Sequence, residues 1–210
     1  MNKVLVSLLL TLGITGIAQA AGNAEAGKEK VAVCGACHGA DGNSAAPNFP
    51  KLAGQGERYL FKQLQDIKAG SSPTAEPGVG RKVLEMTGML EPYSDQDLQD
   101  IAAYFASQKV TVGMADPALV ARGEKLFRGG KVEDGMPACT GCHSPDGVGN
   151  NLAGFPHLGG QHAAYTAKQL TDFREGNRTN DGDAAIMRTI ASKLSNKDIE
   201  ALSSYIQGLH

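Results

Sequence analysis

The sequence predicts an all-α fold built as two tandem copies of one module. Three observations carry this. The chain repeats itself at an offset of about 105 residues. Its apolar residues fall at helical spacing behind clear helix starts. Strand signals are weak throughout, and the segments between helices are rich in Gly, Pro, Asn and Ser.

Length and composition set the frame. The 210 residues are 41% hydrophobic and 20% charged, with a formal net charge of -2. That is an ordinary globular balance with no basic field for nucleic acid. No apolar run is long enough for a bundle of membrane helices. Trp is absent and aromatics make up 5%, few rings for two cores. The shortfall suggests that something else fills them. Four cysteines are too sparse for a disulfide scaffold.

The N-terminus reads as an export signal. Asn2 and Lys3 precede a largely apolar stretch from Val4 to Ile17, and Ala18-Gln19-Ala20 follows. This is the charged, apolar and small-residue order of a secretory leader. Cleavage after Ala20 gives a mature chain starting at Ala21. Cys34 lies too far from that point to carry a lipid there. The mature protein is thus expected to be exported, periplasmic, without an integral membrane segment, and monomeric.

The repeat comes next. Cys34-Gly35-Ala36-Cys37-His38 recurs as Cys139-Thr140-Gly141-Cys142-His143. Phe49-Pro50-Lys51-Leu52-Ala53-Gly54-Gln55 recurs as Phe155-Pro156-His157-Leu158-Gly159-Gly160-Gln161. Tyr59, Gln63, Leu64, Asp66 and Gly70 recur as Tyr165, Gln169, Leu170, Asp172 and Gly176. The order is kept while the offset drifts by a few residues, as loop insertions produce. The expected domains are 21–110 and 111–210, joined near Lys109 to Pro117. Arg128 to Pro137 reads as an insertion in the second copy.

Each helix has a local reason. Ser94-x-x-Asp97 and Ser195-x-x-Asp198 read as capping boxes. Leu98, Ile101 and Phe105, and likewise Ile199, Leu202 and Ile206, then share one face, expected to bury in each domain's core. Glu57 to Lys68 and Ala163 to Glu175 read as helices closed by Gly70 and Gly176. One further helix is expected through Gly27 to Val33, with its counterpart through Arg122 to Arg128.

Cys-x-x-Cys-His carries the chemistry. A thioredoxin-like dithiol needs a βαβ pattern, which is missing here. A structural zinc site needs its ligands closer together than two pairs a hundred residues apart. Covalent haem attachment accounts for the histidine that follows each second cysteine. Two intervening residues on a helical turn let both sulfurs reach the vinyl carbons on one porphyrin edge. The next side chain then swings its imidazole under the iron. Two covalently attached haem c groups are therefore expected, on Cys34 and Cys37 and on Cys139 and Cys142, with His38 and His143 as iron ligands.

The sixth ligand follows from the duplication. Met86 and Met187 each lie eight residues before a capping serine, Ser94 and Ser195. Met89 matches Ile190, while Met114 and Met136 have no counterpart. Met86 and Met187 are thus the expected ligands, with Met89 the alternative to Met86. His157 aligns with Lys51 and His162 with Gly56. With the terminal His210, they are expected to be exposed and without a haem role. A thioether favours Fe(II) and raises the reduction potential. Two strong axial ligands leave no vacancy for a substrate, which argues for a carrier and against an enzyme.

On these motifs the chain resembles the cytochrome c family, specifically its dihaem cytochrome c4 group, over essentially the whole mature length. The resemblance implies two tandem class I cytochrome c domains related by a pseudo-twofold duplication, the first and last helices of each crossing beside the haem. It implies that the carbonyls of Pro50 and Pro156 accept the Nδ1–H of His38 and His143. It also implies a periplasmic carrier between a quinol-oxidising complex and a terminal oxidase or reductase, loosely associated with the membrane through such partners. Two other readings stay open at this level. One is a dihaem peroxidase-type enzyme with one open iron. The other is a haem subunit of a larger respiratory complex.

Overall fold

The computed structural model describes residues 22–76 and 78–210. The expected leader, residues 1–20, lies outside them.

The first half starts with two short helices. Asn23 caps α1 (Ala24–Lys28), its side chain accepting from Glu25 N–H and Ala26 N–H. α2 (Ala32–His38) carries the first cysteine motif. The single helix expected through Gly27 to Val33 is therefore broken. The contacts that hold the break come from distant parts of the half. The Lys30 ammonium is drawn to Asp97 and Asp100, at 2.9 and 2.6 Å, and the Tyr93 hydroxyl takes the Lys30 carbonyl. α3 (Glu57–Gly70) and α4 (Asp95–Ser107) complete this half. A 3-10 turn at Leu84–Met86 lies between them.

The second half repeats the plan. α5 (Pro117–Gly129) starts with Pro at its first position behind an Asp116 cap. A 3-10 turn at Val132–Asp134 precedes α6 (Thr140–His143), which carries the second motif. α7 (Ala163–Glu175), α8 (Ile186–Ala191) and α9 (Asn196–Gln207) follow. Among the described residues the only β pairing is two isolated bridges, Lys131 with Met136 and Asn150 with Phe155.

The expected insertion is structural. Its Met136 is 1% exposed and sits among Leu126, Phe127, Leu194, Leu202 and Tyr205. Both capping boxes form as expected, at Ser94 with Asp97 and Ser195 with Asp198. Gly176 ends α7 in the left-handed conformation, at φ 77°. Gly70 does not play that part, for it is the last residue inside α3. A Cβ there would meet the Arg81 backbone nitrogen at 2.5 Å, so close packing, not capping, requires the glycine.

In each half the first helix crosses the last. α1 packs on α4, and α5 on α9. Glycine permits both crossings. A Cβ on Gly27 would lie 2.0 Å from the Asp100 carbonyl oxygen, and one on Gly123 would lie 2.4 Å from that of Ala201. Leu98, Ile101 and Phe105 are buried on α4, as are Ile199, Leu202 and Ile206 on α9. At about 1.5–3 kcal/mol per large side chain, these two faces anchor each half.

The connection between the halves is tied to both. The Lys51 ammonium donates to the Thr111 carbonyl. Asn43 holds Thr111 N–H at 2.8 Å and the Lys109 carbonyl at 3.0 Å. On the other side Gly113 N–H reaches the Gln207 carbonyl at 3.1 Å.

Candidate functional site

Each cysteine motif is presented the same way. Cys34 and Cys37 stand one turn apart in α2, Cys139 caps α6 and Cys142 lies within it, and each histidine ends its helix. None of the four cysteines is in a disulfide, and all are half-buried. Burial pushes the Cys34 thiol up, and the Cys139 thiol to about 11.

The two histidines are poised alike. His38 Nδ1 is 2.9 Å from the Pro50 carbonyl oxygen, and His143 Nδ1 is 3.0 Å from that of Pro156. A carbonyl only accepts, so Nδ1 carries the proton and Nε2 keeps its lone pair. Both rings are 8% exposed, and desolvation holds them well below the usual histidine range. A neutral ring with a fixed tautomer and a free Nε2 is what a metal requires. The phenyl rings of Phe49 and Phe155 stand edge-on or tilted to these imidazoles, both at 6.2 Å.

Both motifs open into one continuous, mostly apolar cavity of about 1410 Å³. An ordinary small-molecule pocket takes about 300–1,000 Å³, so this space suits two groups. Met86 and Met187 line it, Met86 from the 3-10 turn and Met187 from the first turn of α8. Met89 and Met136 line it too. The cavity thus collects all eight residues singled out in the sequence.

Sequence reasoning missed a polar cluster on the same cavity. Arg81 donates to Gln63 Oε1, the Tyr165 hydroxyl and Gln169 Oε1, at 2.9, 3.0 and 2.8 Å. Arg178 donates to Gln169 Oε1, the Tyr59 hydroxyl and Gln63 Oε1, at 2.8, 3.0 and 2.9 Å. The arrangement is two-fold, since the tyrosines and the glutamines are repeat mates. Among the described residues neither guanidinium forms an ion pair with a carboxylate. The facing guanidiniums pull Tyr59 below the usual phenol range, against the effect of its burial. The signal in the sequence was the recurrence of Tyr59 and Gln63 at a fixed offset.

His157 and His162 are not the exposed side chains expected of them. His157 Nδ1 donates to the Gly54 carbonyl at 3.0 Å, and His162 Nε2 to that of Ser44 at 2.8 Å. Both are half-buried at the boundary between the halves. Alignment with Lys51 and Gly56 showed only that they lack matched histidines, not that they face solvent. His210 is exposed, as expected.

A helical domain with Cys-x-x-Cys-His at a helix end, a proline carbonyl behind the imidazole and a methionine on the same cavity defines a c-type cytochrome. Comparison with known proteins bears this out. The Cytochrome c family model matches twice, over residues 24–109 and 120–210. Cytochrome c4 of Stutzerimonas stutzeri is 84% identical over the full length of both chains, and that of Azotobacter vinelandii is 76% identical over the same span. The crystal structure of reduced recombinant cytochrome c4 from Pseudomonas stutzeri superposes with a TM-score of 0.90 at 83% identity, over 90% of this chain and all of that one. The chain belongs to the cytochrome c family and, within it, to the cytochrome c4 group. It is a dihaem electron-transfer protein with two haem c groups. The residues present fit that cofactor: cysteine pairs outside any disulfide, neutral imidazoles, thioethers on the same cavity, and two guanidiniums, Arg178 buried and Arg81 half-buried, that have no carboxylate partner among the described residues.

Proposed function

We propose that each half, 21–110 and 111–210, is a single-haem domain, and that together they relay electrons between membrane-bound respiratory complexes. In this reading Cys34 and Cys37 hold one haem and Cys139 and Cys142 the other. His38 and Met86 ligate the first iron, and His143 and Met187 the second. Haem c supplies a reversible one-electron couple between Fe(II) and Fe(III). Every other task falls to the polypeptide. The proline carbonyls fix the imidazole tautomer and orientation. The apolar walls disfavour the extra charge of Fe(III), and thioether ligation has the same sense. Arg81 and Arg178 balance the haem carboxylates at the boundary between the halves.

The observation that carries this reading is the repetition of one constellation around one shared cavity. Two centres that open into the same space are arranged for exchange with each other, and thus for a relay. The donor would be a quinol-oxidising complex and the acceptor a terminal oxidase or reductase. No described helix is long and apolar enough to cross a membrane. Residues 1–20 have the pattern of an export leader, so the periplasm is the compartment of this proposal. Any membrane association would come through the partners.

A carrier differs from an enzyme in its sixth ligands. Mass measurement with a reductive titration tests this directly. The expected result is two haems per chain, two low-spin centres and the far-red band of methionine-ligated Fe(III) from both. A single haem would overturn the proposal, and a second centre that takes up cyanide or peroxide rapidly would overturn it in favour of a dihaem peroxidase-type enzyme.

A further inference from the structure

The histidine ligands are connected to the opposite domain through one peptide group each. The peptide that joins Pro50 to Lys51 presents its carbonyl to His38 Nδ1 at 2.9 Å. Its N–H donates to Gln161 Oε1, across the domain boundary, at 2.9 Å. Gln161 Nε2 in turn donates to the Lys51 carbonyl at 2.9 Å, which fixes the orientation of the amide. The second half mirrors this. The peptide that joins Pro156 to His157 accepts from His143 Nδ1 at 3.0 Å, and its N–H donates to Gln55 Oε1 at 2.7 Å. Gln55 Nε2 donates to the His157 carbonyl at 2.9 Å. Gln55 and Gln161 are repeat mates at the end of the Phe-Pro-x-Leu-x-Gly-Gln segments. The two contacts are therefore one contact used twice.

We propose that Gln55 and Gln161 are crossed positioning residues, each tuning the histidine ligand of the domain it does not belong to. The inference rests on His38 and His143 being the iron ligands. A hydrogen bond accepted from a peptide N–H adds electron density to the carbonyl of the same peptide. That carbonyl then holds the Nδ1 proton more strongly, and the imidazole becomes a better donor to iron. The better donor favours Fe(III) and lowers the reduction potential. Gln161 thus lowers the potential of the N-terminal haem, and Gln55 that of the C-terminal haem. Docking the halves becomes part of setting both potentials, because neither glutamine can act on a separated partner.

Gln161→Leu and Gln55→Leu in the intact dihaem protein test this. Each haem is assigned to its domain through its thioether protons, and potentials are followed by spectroelectrochemistry. Gln161→Leu is expected to raise the potential of the N-terminal haem more than that of its own. It is also expected to move the Nδ1–H proton resonance of His38 upfield in the reduced protein while leaving that of His143 in place. Gln55→Leu is expected to do the reverse. Gln161→Glu keeps the acceptor oxygen and is expected not to raise the N-terminal potential. If either leucine variant fails to fold, the asparagine variant, one methylene too short to span the boundary, replaces it. A larger shift at the glutamine's own haem, an equal shift at both, or none at all overturns the proposal. A chain that binds no haem, or binds it without histidine, overturns instead the reading on which the proposal rests.

Discussion

Arg81 and Arg178 stand on opposite halves of the chain and share both of their glutamine acceptors, Gln63 and Gln169. Two guanidiniums drawn to the same pair of oxygens repel each other unless negative charge lies close by. Among the described residues no protein carboxylate pairs with either of them, whereas haem carries carboxylates of its own. Positive charge near an iron favours its reduced state. Arg178→Leu is therefore expected to lower the midpoint potentials, measured by redox titration. Arg178→Lys keeps the charge and is expected to lower them less, though it loses the planar fork that spans both glutamines. Because the group is buried, added salt is expected to screen little of the effect.

The crossings of first and last helices give a second prediction. Gly27 and Gly123 lie where backbone meets backbone, with no room for a methyl group. Gly123→Ala pushes α5 off α9 and is expected to cost about 1–3 kcal/mol, as overpacking usually does. Gly27→Ala is expected to act likewise on α1 and α4. Denaturant titration of each variant measures this. At an exposed helical site the same substitution is normally stabilising, so the sign alone identifies the tight crossing.

These glycines show where the sequence was legible. Capping boxes, helix faces and repeat mates are local or periodic, so spacing alone located α4, α7 and α9. The break between α1 and α2 was not legible, because Lys30 is pulled aside by Asp97 and Asp100 from the far end of the domain. The cysteines and histidines stood out in the sequence as short motifs, and Met86 and Met187 only through the repeat; all eight line the one cavity. The part played by Gln55, Gln161, Arg81 and Arg178 was hidden for another reason. Each acts across the domain boundary, and no pattern within one copy encodes how two copies dock. The insertion supplied Met136 to the core for a similar reason: a segment without a repeat mate carries no comparison from which burial can be inferred.

Acid stability follows from Asp198. Its carboxylate is buried, accepts from Ser195 N–H and Oγ, and meets Arg122 at 2.5 Å. The Ser195 bonds and Arg122 outweigh the cost of its burial and hold it below the ordinary carboxylate range. A depressed folded-state value stabilises the fold above the unfolded value, about 3.9, and the gain fades as the pH falls through the folded value. The protein is expected to lose stability on acidification below about pH 4. Asp198→Asn is expected to lower stability at pH 7 and to flatten that acid dependence. Denaturation midpoints at pH 7 and pH 3 for both proteins decide the matter, and an unchanged slope would contradict it.

The methionines allow the sharpest discrimination. Met187 lies in the first turn of α8, whereas Met86 ends a 3-10 turn and packs beside Ile67, Leu90 and Leu98. Met89 follows one turn later, its N–H donating to the Met86 carbonyl at 3.1 Å, and lines the same cavity. The cavity therefore offers the first domain two thioethers, and only the repeat relation with Met187 chooses between them. Met187→Ala is expected to abolish the far-red band of one haem, lower its potential and admit cyanide, while the N-terminal haem keeps its spectrum. Met86→Ala is expected to do the same to the N-terminal haem. Met89→Ala is expected to leave both spectra intact, at a cost in stability of about 2–5 kcal/mol or less, since Met89 is only partly buried. If Met89→Ala removes the band and Met86→Ala retains it, the ligand assignment of the first domain passes to Met89. The duplicated frame would then be broken at its third element, the one that supplies the sixth ligand.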